Sequence, residues 1–322
     1  MPFVPSLQKN IWANYIPPYK DELFTSWYVR LAQSHMVKSH SFGKYYFGNQ
    51  QFWNRDTDNM PTSHLKRIIY ENSPLEYADI DDLFLTSYKY KLFEHHNPTG
   101  YTLGILPLGI RHRIRKQRGL LYCPVCLKNK PYYKKQWRLS ISYVCCNCKV
   151  LLKDSCPACK YPITFHRLEQ GNKKRTLIDS FNLCAGCNYD LTLSSITASD
   201  EQFKNQICID NILNSGYSKN IHYSFSYFHL FHIINNLLSR KHKVWGRLRN
   251  ACEFEFGILP ENEESFRFWP IEDRLSIFEM TCKIINDYDF LRYLIQNHNL
   301  RLSEFNKDQI LPYSFEHIFK SF

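Results

Sequence analysis

The sequence predicts a mainly α-helical chain with small zinc-ribbon β modules at its centre. Eight cysteines form four C-x-x-C pairs within one short stretch, aromatic residues make up 16% of the chain, and glycine occurs only 11 times in 322 residues. Scarce glycine disfavours a hairpin-rich fold, and paired thiolates let a segment fold around metal instead of a large apolar core. We expect an N-terminal helical domain (1–105), a basic tandem zinc-binding region (106–200) and a C-terminal helical domain (201–322).

The N-terminal region contains four predicted helices. Leu23, Trp27 and Leu31 recur every fourth residue, which is one face of a helix beginning near Asp21. The other three helices are expected at Ser39–Phe47, from Thr62-Ser63 onward, and at Asp79–Tyr88. Short helices joined by tight turns are compatible with a helix-turn-helix and equally with a general helical bundle, so both remain open.

The four C-x-x-C pairs indicate metal binding, because each tight turn aims two sulfurs at one point and two turns complete a tetrahedron. Cys156-Pro-Ala-Cys159 and Cys184-Ala-Gly-Cys187 are followed by the similar stretches Lys-Tyr-Pro-Ile-Thr and Asn-Tyr-Asp-Leu-Thr, which favours one shared site. By elimination, Cys123/Cys126 pairs with Cys145/Cys148. Soft thiolates in a closed tetrahedron favour Zn²⁺, so we expect two structural zinc ions.

Other uses of these cysteines are less favoured. A disulfide framework suits secreted domains, but Met1–Pro18 lacks the basic and apolar segments of a secretory signal. One C-x-x-C could be redox-active, whereas four in series favour metal. An iron–sulfur cluster is excluded less firmly. Cys146 lies inside the second pair and could replace Cys145 as a ligand.

Between the first two pairs, apolar residues alternate with polar ones, which predicts a strand. These residues are Trp137, Leu139, Ile141 and Tyr143. Beyond residue 200 the pattern becomes helical again, with helices expected at Tyr227–Arg240, Ile271–Asn286 and Phe290–Asn297.

Positive charge is concentrated in the metal region. Residues 106–175 hold 17 Lys/Arg and two acidic residues, whereas the rest of the chain holds 24 Lys/Arg and 28 Asp/Glu. A basic stripe on a compact module is typical of a nucleic-acid binder, since solvated surfaces normally mix both signs. The basic segment that precedes the first cysteine pair is called the basic lead-in. We expect it to contact phosphates through Arg111, Arg113, Arg115, Lys116 and Arg118.

Two parts of the chain together resemble the TniQ/TnsD family. The first is the opening Pro18-Tyr-Lys-Asp-Glu-Leu-Phe-Thr-Ser-Trp27 with Arg30-Leu31. The second is Tyr122-Cys-Pro-Val-Cys-Leu127, Trp137-Arg-Leu139 and Val144-Cys145 through Cys148, continued by Asp154-Ser-Cys-Pro-Ala-Cys159. The resemblance covers about residues 15–190. Cys148 stands where the family usually has histidine, a change that preserves a structural zinc site.

The resemblance implies a target-selection factor of DNA transposition. Such a protein binds target DNA or docks on an RNA-guided CRISPR effector, and recruits a AAA+ ATPase and, through it, the transposase. A homodimer is left open. No stretch reaches the roughly 18 apolar residues of a membrane span, so a cytoplasmic protein is expected.

No catalytic residues are assigned. The sequence offers neither a phosphate-binding glycine-rich loop nor a defensible acid cluster, and closed four-thiolate sites leave no position for reactive water. Two alternatives to the adaptor remain: a zinc-dependent DNA-binding transcriptional regulator, and a nucleic-acid-processing enzyme with an unrecognised active site.

Overall fold

The computed structural model describes residues 9–48, 52–97, 100–168, 181–240, 246–305 and 310–320. In these parts the chain forms eleven α-helices and three two-stranded antiparallel hairpins. The helices are α1 (Phe24–Ser34), α2 (Ser39–Phe47), α3 (Ser63–Asn72), α4 (Tyr77–Asp82), α5 (Pro124–Asn129), α6 (Asp200–Ser215), α7 (Ser224–Ser239), α8 (Arg247–Phe256), α9 (Ile271–Asn286), α10 (Tyr288–His298) and α11 (Tyr313–Lys320). The strands are β1 (Ile110–Arg111), β2 (Ile114–Arg115), β3 (Val144–Cys145), β4 (Val150–Leu151), β5 (Tyr217–Ser218) and β6 (His222–Tyr223). The predicted mainly helical fold with small β modules is confirmed.

The chain divides into two compact units. The first comprises Met1–Ser87, Leu108–Arg138 and Ser155–Ser194, and the second comprises Tyr88–Pro107, Leu139–Asp154 and Ser195–Phe322. Each unit draws on several stretches of sequence. The division into three consecutive domains stays a prediction.

Aromatic packing dominates the core of the first unit. On α1, Phe24, Trp27 and Tyr28 are buried, and Tyr28 stacks on Phe52 with ring centroids 4.4 Å apart. The helix begins at Phe24 and not near Asp21, because Leu23 donates its backbone N–H to the Tyr133 carbonyl over 2.9 Å. That extended pairing holds the preceding residues outside the helix.

The next three helices of the first unit agree with their predicted bounds, with one exception. Helix α2 has its predicted bounds, and the Thr62 hydroxyl caps α3 by accepting the Leu65 N–H over 3.2 Å. The helix predicted at Asp79–Tyr88 ends at Asp82 and is followed by a 3₁₀ turn at Leu85–Tyr88. Leu83, Phe84 and Leu85 are all buried. The N–H groups of Leu83 and Phe84 bond to carbonyls three residues back, at Ile80 and Asp81, which is the 3₁₀ pattern and ends the α-helix.

A buried ion-pair group links distant segments of the first unit. Arg138 is fully buried and donates to both carboxylate oxygens of Asp56, at 3.0 and 2.5 Å. It also lies 3.5 Å from Asp58, which accepts the N–H and hydroxyl of Thr25 at 2.8 Å each. Burial raises the pKa of Asp58 to about 6, against the opposing attraction of Arg138. Removing Arg138 would leave two poorly solvated carboxylates without their counter-charge.

In the second unit, α7 and α9 form the core. Phe231 and Phe278 meet with ring centroids 5.7 Å apart. Helix α9 has its predicted bounds, whereas α7 begins three residues earlier than expected. The first N–H of α9, on Ile271, donates to the buried carboxylate of Asp154 over 2.8 Å. A carboxylate at a helix N-terminus is favourable, and this one comes from far along the chain.

The strand predicted over 137–143 is wrong. Lys135–Arg138 form a 3₁₀ turn, and only Val144–Cys145 are in a strand. The side chain of Gln206 on α6, which is fully buried, takes the place of a neighbouring strand. Its Oε1 accepts the N–H groups of Tyr143 and Val144 at 2.8 and 3.2 Å, and its Nε2 donates to the Ile141 carbonyl over 3.1 Å.

Among the residues described, no helix has both the length and the apolar character needed to cross a membrane.

Replacing Gln206 by alanine should lower the free energy of unfolding by about 3 kcal/mol, because each buried backbone group left unpaired costs roughly 1–3 kcal/mol. Chemical denaturation followed by circular dichroism measures the loss. Lys204→Ala, on the exposed side of α6, is the matched control and should change stability little. Equal stability of the two variants would contradict the role assigned to Gln206.

Candidate metal centres and nucleic-acid interface

Three of the four C-x-x-C motifs close with the same turn. In each, the residue after the second cysteine donates its N–H to the carbonyl of the first cysteine over 2.8–2.9 Å. These donors all have left-handed backbones: Lys149 (φ 53°), Lys160 (φ 58°) and Asn188 (φ 59°). For residues other than glycine this conformation costs about 1 kcal/mol or more.

The motif at Cys123 is helical instead. Pro124 occupies the first position of α5, where its fixed φ is favourable and its missing N–H is harmless. The Cys126 N–H donates to the Cys123 sulfur over 3.4 Å. Both sulfurs are thereby placed at the beginning of the helix.

One four-cysteine group lies in the first unit and joins the two repeated motifs. Its sulfur atoms, from Cys156, Cys159, Cys184 and Cys187, all lie within 4.8 Å of one another. The Cys156–Cys187 and Cys159–Cys184 sulfur distances are 3.7 and 3.6 Å. Isolated antiparallel bridges, Ser155–Pro162 and Leu183–Asp190, close the two loops. This is the pairing predicted from the internal repeat.

A glycine makes the close approach of these two loops possible. A Cβ on Gly186 would lie 3.1 Å from the Tyr161 side chain and 3.4 Å from the Cys159 sulfur. A larger residue would require Tyr161 to shift by a few tenths of an ångström.

The other four-cysteine group contains Cys123, Cys126, Cys145 and Cys148, whose sulfur atoms also lie within 4.8 Å of one another. Cys146 is not part of it. Its sulfur donates to the Asp210 carboxylate on α6 over 3.3 Å. Burial, together with that carboxylate, raises the pKa of the Cys146 thiol to about 12. Cys145, and not Cys146, therefore belongs to the sulfur group.

Both groups fit a tetrahedral metal ion. With zinc–sulfur bonds of about 2.3 Å, the sulfurs of a regular tetrahedron lie about 3.8 Å apart. The closest sulfur pairs of the first-unit group, at 3.7 and 3.6 Å, agree with that spacing. Burial raises the pKa of Cys184 to about 12, so its thiol stays protonated until a cation displaces the proton. The two groups are geometrically suited to hold two metal ions.

The basic lead-in forms a hairpin in the first unit, which we call the basic hairpin (Ile110–Arg115, strands β1 and β2). Its tip residues, His112 and Arg113, both have positive φ, at 48° and 65°. This tight turn matches the twist of antiparallel strands but normally uses glycine or asparagine. The Arg113 carbonyl accepts a hydrogen bond from the Arg167 guanidinium over 3.3 Å, which supports the tip.

The five predicted phosphate contacts do not share one environment. Arg111, Arg113 and Lys116 are exposed and Arg118 is half-buried. Arg115 is only 4% exposed, and its Nη1 donates to the Ile163 carbonyl over 3.2 Å. An enclosed guanidinium cannot reach an external phosphate, so the prediction for Arg115 requires correction. Burial lowers its pKa to about 10, and its role is to anchor β2.

Part of the positive charge in this region is neutralised by folding. Lys134, Lys135 and Arg138 form ion pairs with Asp21, Asp82 and Asp56 of the same unit. In the described parts of the chain, no ion pair involves Arg111, Arg113 or Lys116. The local excess of basic residues in the sequence therefore exaggerates the charge left at the surface.

The comparison with protein-family models agrees with the sequence resemblance. The sequence model of the TniQ family matches residues 15–152, which include α1–α5, the basic hairpin and the cysteines from Cys123 to Cys148. The two repeated motifs, at Cys156/Cys159 and Cys184/Cys187, lie beyond the matched range. A comparison with curated proteins finds no significant match. The family is associated with DNA transposition. By this match, residues 15–152 of the chain form a TniQ domain.

Proposed function

We propose that the chain is a target-selection adaptor of DNA transposition. It binds target DNA or an RNA-guided CRISPR effector and recruits a AAA+ ATPase and, through it, the transposase. The TniQ domain over residues 15–152 is the observation that carries this proposal. The adaptor works by binding, and it neither cuts nor joins DNA. Self-association as a homodimer stays an open part of the proposal.

Both four-cysteine groups are proposed to hold Zn²⁺. An all-thiolate tetrahedron favours this ion over harder divalent cations. With four protein ligands the coordination is complete, so the metal would organise the fold and would not activate water.

The basic hairpin, with Arg111 and Arg113, and the segment directly after it, with Lys116 and Arg118, are proposed to contact nucleic-acid phosphates. Arginine and lysine at an exposed hairpin provide charge without base selectivity, which positions a protein on a duplex. Helices α1 and α2, joined through residues 35–38, are the candidate helix-turn-helix. His40, Ser41 and Lys44 are exposed on α2 and would face the groove.

A DNA-binding regulator without a link to transposition is the second candidate, since the exposed hairpin arginines would serve it equally well. The two functions differ in the partners they need. Only the adaptor requires an ATPase and a transposase.

Omitting the chain from a reconstituted insertion reaction, with transposase and ATPase present, should abolish insertion or its site preference. The physical reason is that an adaptor supplies the affinity that selects one site among many. Sequencing of insertion junctions measures both quantities. Unchanged position and frequency would remove the adaptor proposal and favour the regulator.

Reversing charge at Arg111, Arg113 and Lys116 to glutamate should weaken DNA binding and flatten its salt dependence. For duplex DNA, the log–log salt slope falls by about 0.9 for each phosphate that the protein no longer neutralises. Fluorescence anisotropy over a salt series measures the slope. The control combines Lys20→Glu and Lys128→Glu, two exposed lysines of the same unit outside the hairpin. Equal slopes in both variants would reduce the hairpin to a solubilising surface.

Elemental analysis should find about two zinc ions per wild-type chain and about one in Cys159→Ser, because serine is a poor ligand in a thiolate site. Cys146→Ser is the matched control and should retain both ions, since its sulfur faces Asp210. A fully folded metal-free protein would contradict the assignment, and loss of zinc from Cys146→Ser would contradict the ligand set.

A further inference from the structure

A cavity of about 260 Å³ lies in the first unit beside the basic hairpin. Tyr28, Phe52 and Trp53 line it and are at most 7% exposed, so they form its floor. Three exposed basic residues also line it and form its mouth: His40, Lys44 and Arg113. No carboxylate occurs among its described lining residues. The cavity thus combines an aromatic floor with a cationic mouth.

The floor is fixed before any ligand arrives. The Tyr28 hydroxyl donates to the Ser39 carbonyl over 2.6 Å, and Tyr28 stacks on Phe52. Behind the cavity, Trp53 stacks on His166 at 4.2 Å with the rings 5° from parallel. Burial and nearby arginines hold the pKa of His166 well below its usual value, so this ring is neutral. A preformed floor saves a ligand the entropy of ordering side chains.

The helix beside the cavity also favours an anion. Ser39 and His40 lie in the first turn of α2, which contains no acidic residue. The positive end of the helix dipole lies at this turn and favours an anion there. Gly43 lets the Tyr28 hydroxyl pack closely against α2, because a Cβ there would lie 2.4 Å from the hydroxyl oxygen.

We propose that this cavity binds one unstacked nucleotide, with its base toward Tyr28, Phe52 and Trp53 and its phosphate at His40, Lys44 and Arg113. The inference rests on the proposed nucleic-acid binding, since Arg113 belongs to both the cavity and the basic hairpin. A volume of about 260 Å³ lies just below the range of ligand pockets, about 300–1,000 Å³, so the cavity is suited to no more than a single nucleotide. Proteins commonly receive unstacked bases on aromatic side chains, whereas a paired, stacked base is inaccessible. The cavity therefore selects single-stranded or distorted sites.

A ligand-observed NMR titration tests the cavity without the rest of the interface. The full chain is titrated with thymidine monophosphate, thymidine and inorganic phosphate. The monophosphate should bind more tightly than either fragment, and Lys44→Gln should weaken it about tenfold, equivalent to 1.4 kcal/mol. Asn54→Trp, which fills the mouth from an exposed position, should abolish binding. Lys128→Gln is the control and should bind as the wild type does. Equal binding by the wild type and Asn54→Trp would overturn the proposal.

A second measurement separates the nucleotide cavity from the general proposal that the chain binds nucleic acid. Anisotropy compares a matched duplex, the same duplex with one bulged base, and single strands of DNA and of RNA. The wild type should prefer the bulged and single-stranded probes, and Asn54→Trp should lose that preference while retaining duplex binding. The DNA and RNA arms identify the source of the nucleotide.

Failure of the cavity proposal can be distinguished from failure of the proposed function. Duplex binding without preference, together with no monophosphate binding, overturns the cavity alone. In another outcome, the chain binds the monophosphate, Asn54→Trp abolishes this binding, and no polynucleotide binds. That result supports the cavity and overturns the proposed binding of nucleic acid.

Discussion

The convergence of sulfur atoms is the constraint on which the centre of this chain depends. Regular structure there is sparse, since α5 has six residues and β3 and β4 have two each. Elements this short cannot nucleate on their own. Left-handed turns at Lys149, Lys160 and Asn188 add a cost that the backbone does not recover. A metal ion bound by four such sulfurs would hold these turns closed and would contribute folding free energy directly.

Polar side chains from distant positions complete each unit. Gln206 satisfies three backbone groups of residues 141–144, and Asp154 caps α9. In the first unit, Arg138 is enclosed with Asp56 and Asp58. A buried polar group is stable only when its partners are in place. These contacts therefore specify one arrangement of short segments that apolar packing alone would allow to shift.

Folding divides the basic residues into two functional kinds. Arg115 and Arg138 are enclosed and hold segments together, whereas Arg111, Arg113 and Lys116 remain exposed on one hairpin or beside it. Of the exposed group, Arg113 also lines a cavity with an aromatic floor. A surface of this kind can combine phosphate contacts, which position a nucleic acid, with recognition of an unstacked base. Charge counted along the sequence does not make this distinction.

The sequence by itself determined the helical class, the bounds of α2 and α9, the pairing of the four C-x-x-C motifs and the TniQ resemblance. These depend on local periodicity, caps and fixed spacing, which the order of residues carries directly. Only the tertiary structure decided that residues 137–143 are not a strand, that Cys146 faces Asp210, that Arg115 is buried, and that α2 meets the basic hairpin at a cavity. Each of these depends on partners more than 45 residues away in sequence. Such contacts leave no periodic signal, because a single side chain supplies the missing hydrogen bond or covers the charge.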